Sequence, residues 1–256
     1  MSLARFIPGV LRRTPERRAP TDDGPGDARY EIKLVCQGLA YERVVTELGL
    51  HPCALRTLHP SRRVQSVYLD THDRRALEAN LAGISNREKV RLRWYGDGVD
   101  SVRGTLERKM RQNLLGWKRS FSYPDPIRVN GASRLGFVRS LWRAAPPAFR
   151  AVLDDGQEPA QWISYLRDYL ITGDGAVRVT IDHDVRCADQ RDLAALSFGL
   201  QTPTPNVTIV ECKASRAHFD VLRELLNTLP LVVDKCSKFV IASDPASGPI
   251  VSMLPA

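Results

Sequence analysis

No run in this chain approaches the roughly 18–20 apolar residues that a membrane-spanning helix needs, and Pro8 and Arg12 interrupt any apolar stretch near the N-terminus. The expectation is a cytoplasmic protein with no membrane partner. Cysteine is scarce and scattered: Cys36, Cys53, Cys187, Cys212 and Cys236 are odd in number and form no Cys-x-x-Cys pair. That spacing argues against a zinc site or a disulfide framework and fits a reducing compartment. The five histidines show neither HExxH nor His-x-His spacing, and there is no Gly-x-x-x-x-Gly-Lys or Gly-x-Gly-x-x-Gly loop. Zincin, P-loop and dinucleotide-binding chemistry are therefore set aside. The four tryptophans are scattered rather than interleaved with basic residues, so stacking on single-stranded nucleic acid is not expected.

What is present is positive charge. The chain carries 37 basic against 29 acidic residues, a formal +8. Residues 1–28 hold Arg5, Arg12, Arg13, Arg17 and Arg18 against Glu16, Asp22, Asp23 and Asp27, so nearly all the excess lies beyond them. An anionic partner is one reading of that excess and a solvated surface is the other. Prolines and glycines in 1–28 predict a disordered arm. The remainder divides into one domain over 29–243 and a proline-containing tail over 244–256.

Within that domain the dominant pattern is period two, the signature of antiparallel strands. Strands are expected near 29–35, 62–70, 88–96, 102–111, 161–171, 176–186 and 206–213, with a hairpin at Thr172-Gly173-Asp174-Gly175. Helices are expected at 39–49, 73–82, 133–143 and 215–228, the last with an apolar stripe of Phe219, Leu222, Leu225 and Leu226. Strands with a few covering helices give an α+β fold.

Residues two apart on a strand share a face, and here one face is charged. Glu31 and Lys33 lie opposite Ile32 and Leu34; Arg91 and Arg93 opposite Val90, Leu92 and Trp94; Glu107, Lys109 and Arg111 opposite Leu106, Arg108 and Met110. Arg178, Thr180, Asp182, Asp184 and Arg186 share a face against Val177, Val179, Ile181 and Val185, and Glu211 and Lys213 follow Val207 and Ile209. An open sheet with cross-strand salt bridges, each contributing about 0.2–1 kcal/mol, explains any one strand. The concentration of arginine and lysine beside isolated glutamates over five strands makes a second arrangement open to them, a closed antiparallel barrel of about eight strands with the charges inward. Such an interior needs a polyanion. Arginine forks match phosphate oxygens, lysines act as point charges, and a carboxylate among them can hold the divalent cation that phosphates bring.

The motifs that carry these faces are Arg29-Tyr30-Glu31-Ile32-Lys33, Ser66-Val67-Tyr68-Leu69-Asp70-Thr71, Lys89-Val90-Arg91-Leu92-Arg93-Trp94-Tyr95-Gly96 and Leu106-Glu107-Arg108-Lys109. They are followed by Tyr165-Leu166-Arg167, Arg178-Val179-Thr180-Ile181-Asp182, Val210-Glu211-Cys212-Lys213 and Lys235-Cys236-Ser237-Lys238-Phe239. In this order, from about Arg29 to Ile241, the chain resembles the VTC (vacuolar transporter chaperone) domain, the polyphosphate-polymerase branch of the triphosphate tunnel metalloenzymes, CYTH-like proteins. The resemblance implies a tunnel of antiparallel strands open at both ends, binding ATP and polyphosphate. It implies Lys33, Arg91, Arg93, Lys109, Lys118, Arg167, Arg178, Lys235 and Lys238 as phosphate ligands and Glu211 as the holder of Mn²⁺ or Mg²⁺. Arg91, Arg93, Arg167 and Arg178 would stabilise transition-state charge as phosphate attacks the γ-phosphorus of ATP.

There are departures. The hydrolytic branch carries Glu-x-Glu-x-Lys in its first strand, and here Arg29 replaces the first glutamate, which weighs against hydrolysis of tripolyphosphate or polyphosphate. The membrane segments and accessory phosphate-sensing domain of eukaryotic members have no counterpart, so coupling to transport is not expected. A non-catalytic polyanion receptor remains the third reading.

Overall fold

Charged and apolar faces alternate along strands that close on themselves, so the fold is a ring whose two sides have opposite chemistry. The computed structural model describes residues 21–22, 29–37, 41–113, 115–202, 207–229 and 237–243. The expected arm, tail and Lys235 lie outside these, apart from two residues of the arm. In chain order the elements are β1 (Thr21–Asp22), β2 (Arg29–Gln37), α1 (Tyr41–Gly49), β3 (Arg56–Asp70), α2 (Arg75–Leu81), β4 (Asn86–Tyr95), β5 (Ser101–Val102), β6 (Thr105–Gln112) and β7 (Leu115–Ser122). They continue with β8 (Ile127–Arg128), α3 (Arg134–Ala144), α4 (Pro147–Leu153), β9 (Glu158–Ile171), β10 (Val177–Asp189), β11 (Val207–Ala214), α5 (Phe219–Thr228) and α6 (Lys238–Ser243).

Eight strands pair antiparallel in the order β7-β2-β11-β10-β9-β3-β4-β6, and β6 pairs back onto β7. Closure removes the exposed edges that an open sheet would have to protect. The seam between β2 and β7 is short, Arg29 opposite Gly116 and Tyr30 opposite Leu115. β1 adds to β7 through Thr21 and Asp22, and β5 and β8 form a separate pair.

The apolar faces point outward, beneath helices. On one side Leu92, Trp94, Leu106 and Trp162 pack with Phe137 and Leu141 of α3 and Phe149 of α4. On another, Leu34, Val179, Ile181, Val210 and Cys212 pack with Val44 and Leu48 of α1 and Leu222 and Leu225 of α5. α3 starts where Ser133 accepts a hydrogen bond from the Gly136 amide at 3.2 Å, an N-cap that satisfies one free N–H. The β9–β10 hairpin forms as expected: Gly175 has φ +75°, and the Asp174 carboxylate accepts from Thr172 Oγ1 and the Ala176 amide.

Four features differ from the sequence reading. β7 is a strand that the pattern hides, because Arg119 breaks the apolar face of Leu115, Trp117 and Phe121. β3 begins at Arg56, six residues early, through a polar stretch with register shifts around His59. The short helices α4 and α6 were not foreseen. Finally, β10 is irregular between His183 and Arg186, with Asp184 at φ 47°. The extra residue reverses the alternation, so Asp184 and Arg186 leave the charged inner face and pair with each other outside, where Arg63 also binds Asp184 at 2.6 Å.

α6 meets the inner wall of the ring. Phe239 stacks on Tyr68 with ring centroids 5.1 Å apart and clusters with Ile163 and Tyr165, while Ile241 packs on Val207 and Ile209. By strand register these partners face inward. The ring has the expected tunnel-like form, and α6 lies against inner-wall residues toward one end of it.

Candidate functional site

Strand register sets the inner wall. Arg91 stands opposite Glu107, Lys89 opposite Lys109 and Lys109 opposite Lys118, so three lysines form one row across β4, β6 and β7. Lys33 stands opposite Glu211, and Glu31 opposite Lys213, across β2 and β11. Arg167 faces Asp182 across β9 and β10.

These groups form two sets of ion pairs, one centred on Glu107 and one linking Asp182, Glu211 and Glu31. Glu107, fully buried, accepts from Arg91 Nε at 2.9 Å, Arg93 Nη2 at 2.5 Å and Lys118 Nζ at 3.2 Å. Asp182, also fully buried, takes a two-pronged bond from Arg167 at 2.5 and 2.7 Å and pairs with Lys238. Arg167 reaches Glu211 at 3.7 Å, and Lys213 lies 2.5 Å from it. Glu31 is approached by Lys33, Lys109 and Lys213 at 3.4, 3.8 and 3.9 Å. Glu31 bonds to β6 although β7 lies between them in the ring, so the side chains converge across an interior. Among the described residues eight cations, Lys33, Arg91, Arg93, Lys109, Lys118, Arg167, Lys213 and Lys238, pair with four carboxylates, and Lys89 stands beside them.

The electrostatics follow from that imbalance. Burial and Glu211 push the Glu31 carboxyl up, but Lys109, Lys213 and Lys33 outweigh them and bring it to about 2. Burial also raises Glu211, and Lys213, Lys33 and Arg167 overcome it, holding the group well below the usual range. Cations lacking enough carboxylates move the other way. Burial, Lys33 and Lys109 push Lys89 well down. Lys109 is supported by Glu31, yet burial and Lys213 bring it down to about 8.

Lys33, Arg91, Arg93, Lys109, Lys118, Arg167, Lys238 and Glu211 thus come together. Arg178 shares the inner face but is exposed at the mouth opposite α6, where partial burial of its guanidinium and then Arg29 lower its pKa. Lys89 and Lys213, and the carboxylates Glu31, Glu107 and Asp182 as anchors, were not assigned roles from sequence. Two-residue spacing from Arg91 and from Glu211 was the available signal for the two lysines. Lys89 donates to Ser237 Oγ at 2.8 Å, which ties the lysine row to the start of α6.

A second observation concerns hydrogen bonding. Among the described residues, the buried side-chain polar atoms without a hydrogen-bond partner belong to Ser66, Arg93, Ser120, Gln161, Thr180 and Glu211. Register places every one of these residues on the inner wall. Buried polar groups ordinarily find partners, so this wall has hydrogen-bonding capacity that the protein's own side chains do not use.

No group of three His, Cys, Asp or Glu side chains among the described residues is arranged as a metal cage. Glu211 nevertheless faces the interior with Oε1 free of an aligned hydrogen bond, its contact with Lys213 being an ion pair. Mg²⁺-type ions bind through one or two carboxylates together with substrate phosphates. Glu211, with the Glu31 carboxylate near enough to repel it, fits that mode and not a closed protein site.

A model of the family described as the VTC domain matches residues 28–244. No curated protein matches the chain. Among solved structures, the chain is similar to a candidate adenylate cyclase from Vibrio parahaemolyticus, at 11% identity over 82% of this chain and 95% of that one, TM-score 0.45. It is similar to the PH1819 protein of Pyrococcus horikoshii, at 11% identity over 83% and 97%, TM-score 0.45. A third is HpAC1 of Hippeastrum, a candidate adenylyl cyclase described as having dominant triphosphatase activity, at 14% identity over 83% and 94%, TM-score 0.43.

Proposed function

The chain belongs to the VTC-domain family, and from that membership we propose that the ring interior carries out phosphoryl transfer. The γ-phosphate of ATP moves onto phosphate or the end of a growing polyphosphate chain, and ADP leaves. The observation that carries this reading is the row Lys89, Lys109, Lys118, standing in direct register beside too few carboxylates. Like charges directly opposite one another destabilise a sheet, and a bound polyphosphate chain relieves that repulsion.

Phosphoryl transfer asks for in-line placement and charge neutralisation, not a protein nucleophile. Lys33, Lys109, Lys118 and Lys238 hold phosphate oxygens, with Lys235 added by family motif alone. Arg91, Arg93 and Arg167 are fixed by Glu107 and Asp182 before substrate arrives, so stabilising the transferring group requires little rearrangement. Arg178 guides the anion at the mouth. Glu211, with Glu31, would hold Mn²⁺ or Mg²⁺, which when bound supplies neutralisation at the phosphate oxygens. No helix among the described residues is long and apolar enough to cross a membrane, and the four described cysteines are free, in keeping with a cytoplasmic setting.

A second reading is hydrolysis of tripolyphosphate or polyphosphate, with water in place of the phosphate acceptor; Arg29 in place of a glutamate in the first strand weighs against it. Incubation with ATP and Mn²⁺ separates the readings. ADP with long-chain polymer is expected; free phosphate without polymer selects the hydrolase, and tight binding without either product selects the receptor. Glu211→Gln should lower turnover at least about 100-fold while phosphate binding persists, and undiminished turnover would remove Glu211 from the mechanism.

A further inference from the structure

The spacing of the cysteines argues against a disulfide framework, yet the fold brings two of them to one place. Cys212 is fully buried on the outer face of β11, in the cluster beneath α1 and α5. Cys53, in the turn between α1 and β3, is partly buried, packs against the same cluster and lies close enough to bear electrostatically on Cys212. The backbone holds it there, since the Gly173 amide of the β9–β10 hairpin donates to the Cys53 carbonyl at 2.9 Å. The other described cysteines lie elsewhere. Cys36 stands opposite Thr208 while Cys212 stands opposite Ile32, a separation of about 13 Å along β2, and Cys187 belongs to a different cluster.

Cys53 also has a base beside it. Its Sγ is 2.9 Å from His51 Nδ1, and His51 Nε2 is 2.6 Å from Thr228 Oγ1. The surrounding bonds fix the tautomer. Thr228 has one hydroxyl hydrogen and donates it to the Glu224 carbonyl at 2.9 Å, so it accepts from His51 Nε2–H. The Cys53 amide donates to Nδ1 at 3.2 Å, which likewise requires that nitrogen to carry no proton. Nδ1 is therefore free to take the thiol proton. The turn itself is closed without the sulfur, by the Ala54 amide on the His51 carbonyl at 3.1 Å. Burial pushes the Cys53 thiol up, so its nucleophilicity at neutral pH depends on that transfer.

We propose that Cys53 is a peroxide-reactive thiol, with His51 as its base, Thr228 holding the ring and Cys212 as the resolving thiol. The Cys53 sulfur attacks one oxygen of a hydroperoxide. The S–O bond forms, the O–O bond breaks, and the departing oxygen leaves as water or alcohol with the proton that His51 took. Sulfur is oxidised to the sulfenic acid and the peroxide is reduced. Cys212 then attacks the Cys53 sulfur: the S–S bond forms, the S–O bond breaks, and hydroxide leaves with the Cys212 proton as water. The bridge ties the α1–β3 turn to the strand whose other face carries Glu211, and a thiol reductant reverses it. A transient bridge of this kind suits a reducing compartment.

The test treats the reduced full chain with hydrogen peroxide and follows intact mass and peptide maps with time. Loss of two hydrogens with a Cys53–Cys212 link is expected, reversed by dithiothreitol. In Cys212→Ala, Cys53 should stop at the sulfenic acid and be captured by dimedone; if that variant does not fold, Cys53→Ser serves instead, and its buried Cys212 should resist peroxide. His51→Gln keeps an acceptor for the Cys53 amide but cannot take the thiol proton. Oxidation of Cys53 should then slow about 100-fold, with added imidazole restoring part of the rate. A link from Cys53 to a different cysteine, no link in the unaltered protein, or a Cys53 oxidation rate unchanged by His51→Gln overturns the proposal.

Discussion

At the scale of single residues, the interior is governed by carboxylates that fix arginines in place. Glu107 holds Arg91 and Arg93 at 2.9 and 2.5 Å, and Asp182 holds Arg167 at 2.5 and 2.7 Å. Arg91 donates further to the Tyr68 hydroxyl at 2.8 Å, and Arg93 Nε has no partner, so each fork keeps its orientation with donors to spare. Lys109 is the titrating member. Its ammonium, ordinarily near 10.5, comes down to about 8 through burial and Lys213, against support from Glu31. Above pH 8 it is increasingly neutral in the free protein, while a polyanion favours its charged form. Tripolyphosphate binding at pH 8.5 should therefore take up protons, and affinity should decline as pH rises through about 8. Calorimetry in buffers of different ionisation enthalpy measures the exchange, and Lys109→Met should shift it toward release; an exchange unchanged in that variant would exclude Lys109 as the titrating group.

At the scale of elements, the ring divides labour between its faces. Apolar positions of β2, β10 and β11 anchor α1 and α5, and those of β4, β6 and β9 anchor α3 and α4. The inner face is thereby left to charge, with α6 the exception, since Phe239 is 2% exposed against Tyr68. Phe239→Ala should cost about 3–5 kcal/mol, the usual range for removing a buried phenylalanine, read as a fall in the urea midpoint at constant slope. A loss below about 1 kcal/mol would show that α6 is only loosely held against the wall. α6 also carries Lys238, which pairs with Asp182, and follows Ser237, which receives Lys89. Loosening it is expected to weaken phosphate binding as well as the fold.

At the scale of the whole molecule, an interior with more cations than carboxylates stores repulsion that a ligand relieves. Tripolyphosphate at 100 times its dissociation constant should stabilise the fold by about 2.7 kcal/mol, seen as a rise in Tm that shrinks with added salt. A Tm indifferent to tripolyphosphate would contradict an interior built for polyanions. The short seam of Arg29 and Tyr30 against Gly116 and Leu115 is where the ring closes with fewest pairs, and residues on both sides of it, Glu31 and Lys118, belong to the charged wall.

The sequence by itself determined the strands with strict alternation and, with them, which face of each is charged, because a side chain's direction on a strand depends only on its neighbours. Lys33, Arg91, Arg93, Lys109 and Glu211 were legible for that reason, as was the Asp174-Gly175 turn. β7 was not legible, since its apolar alternation is broken by Arg119 and its pairing comes from partners on both edges. Nor was the bulge that turns Asp184 and Arg186 outward, because one inserted residue reverses every assignment after it and leaves no local mark. Only the tertiary structure decided that the charged faces look at one another, that Glu107 and Asp182 neutralise the arginines, and that α6 lies against the inner wall toward one end. Each of these depends on contacts between residues far apart in the chain, which closure of the ring creates and local sequence does not encode.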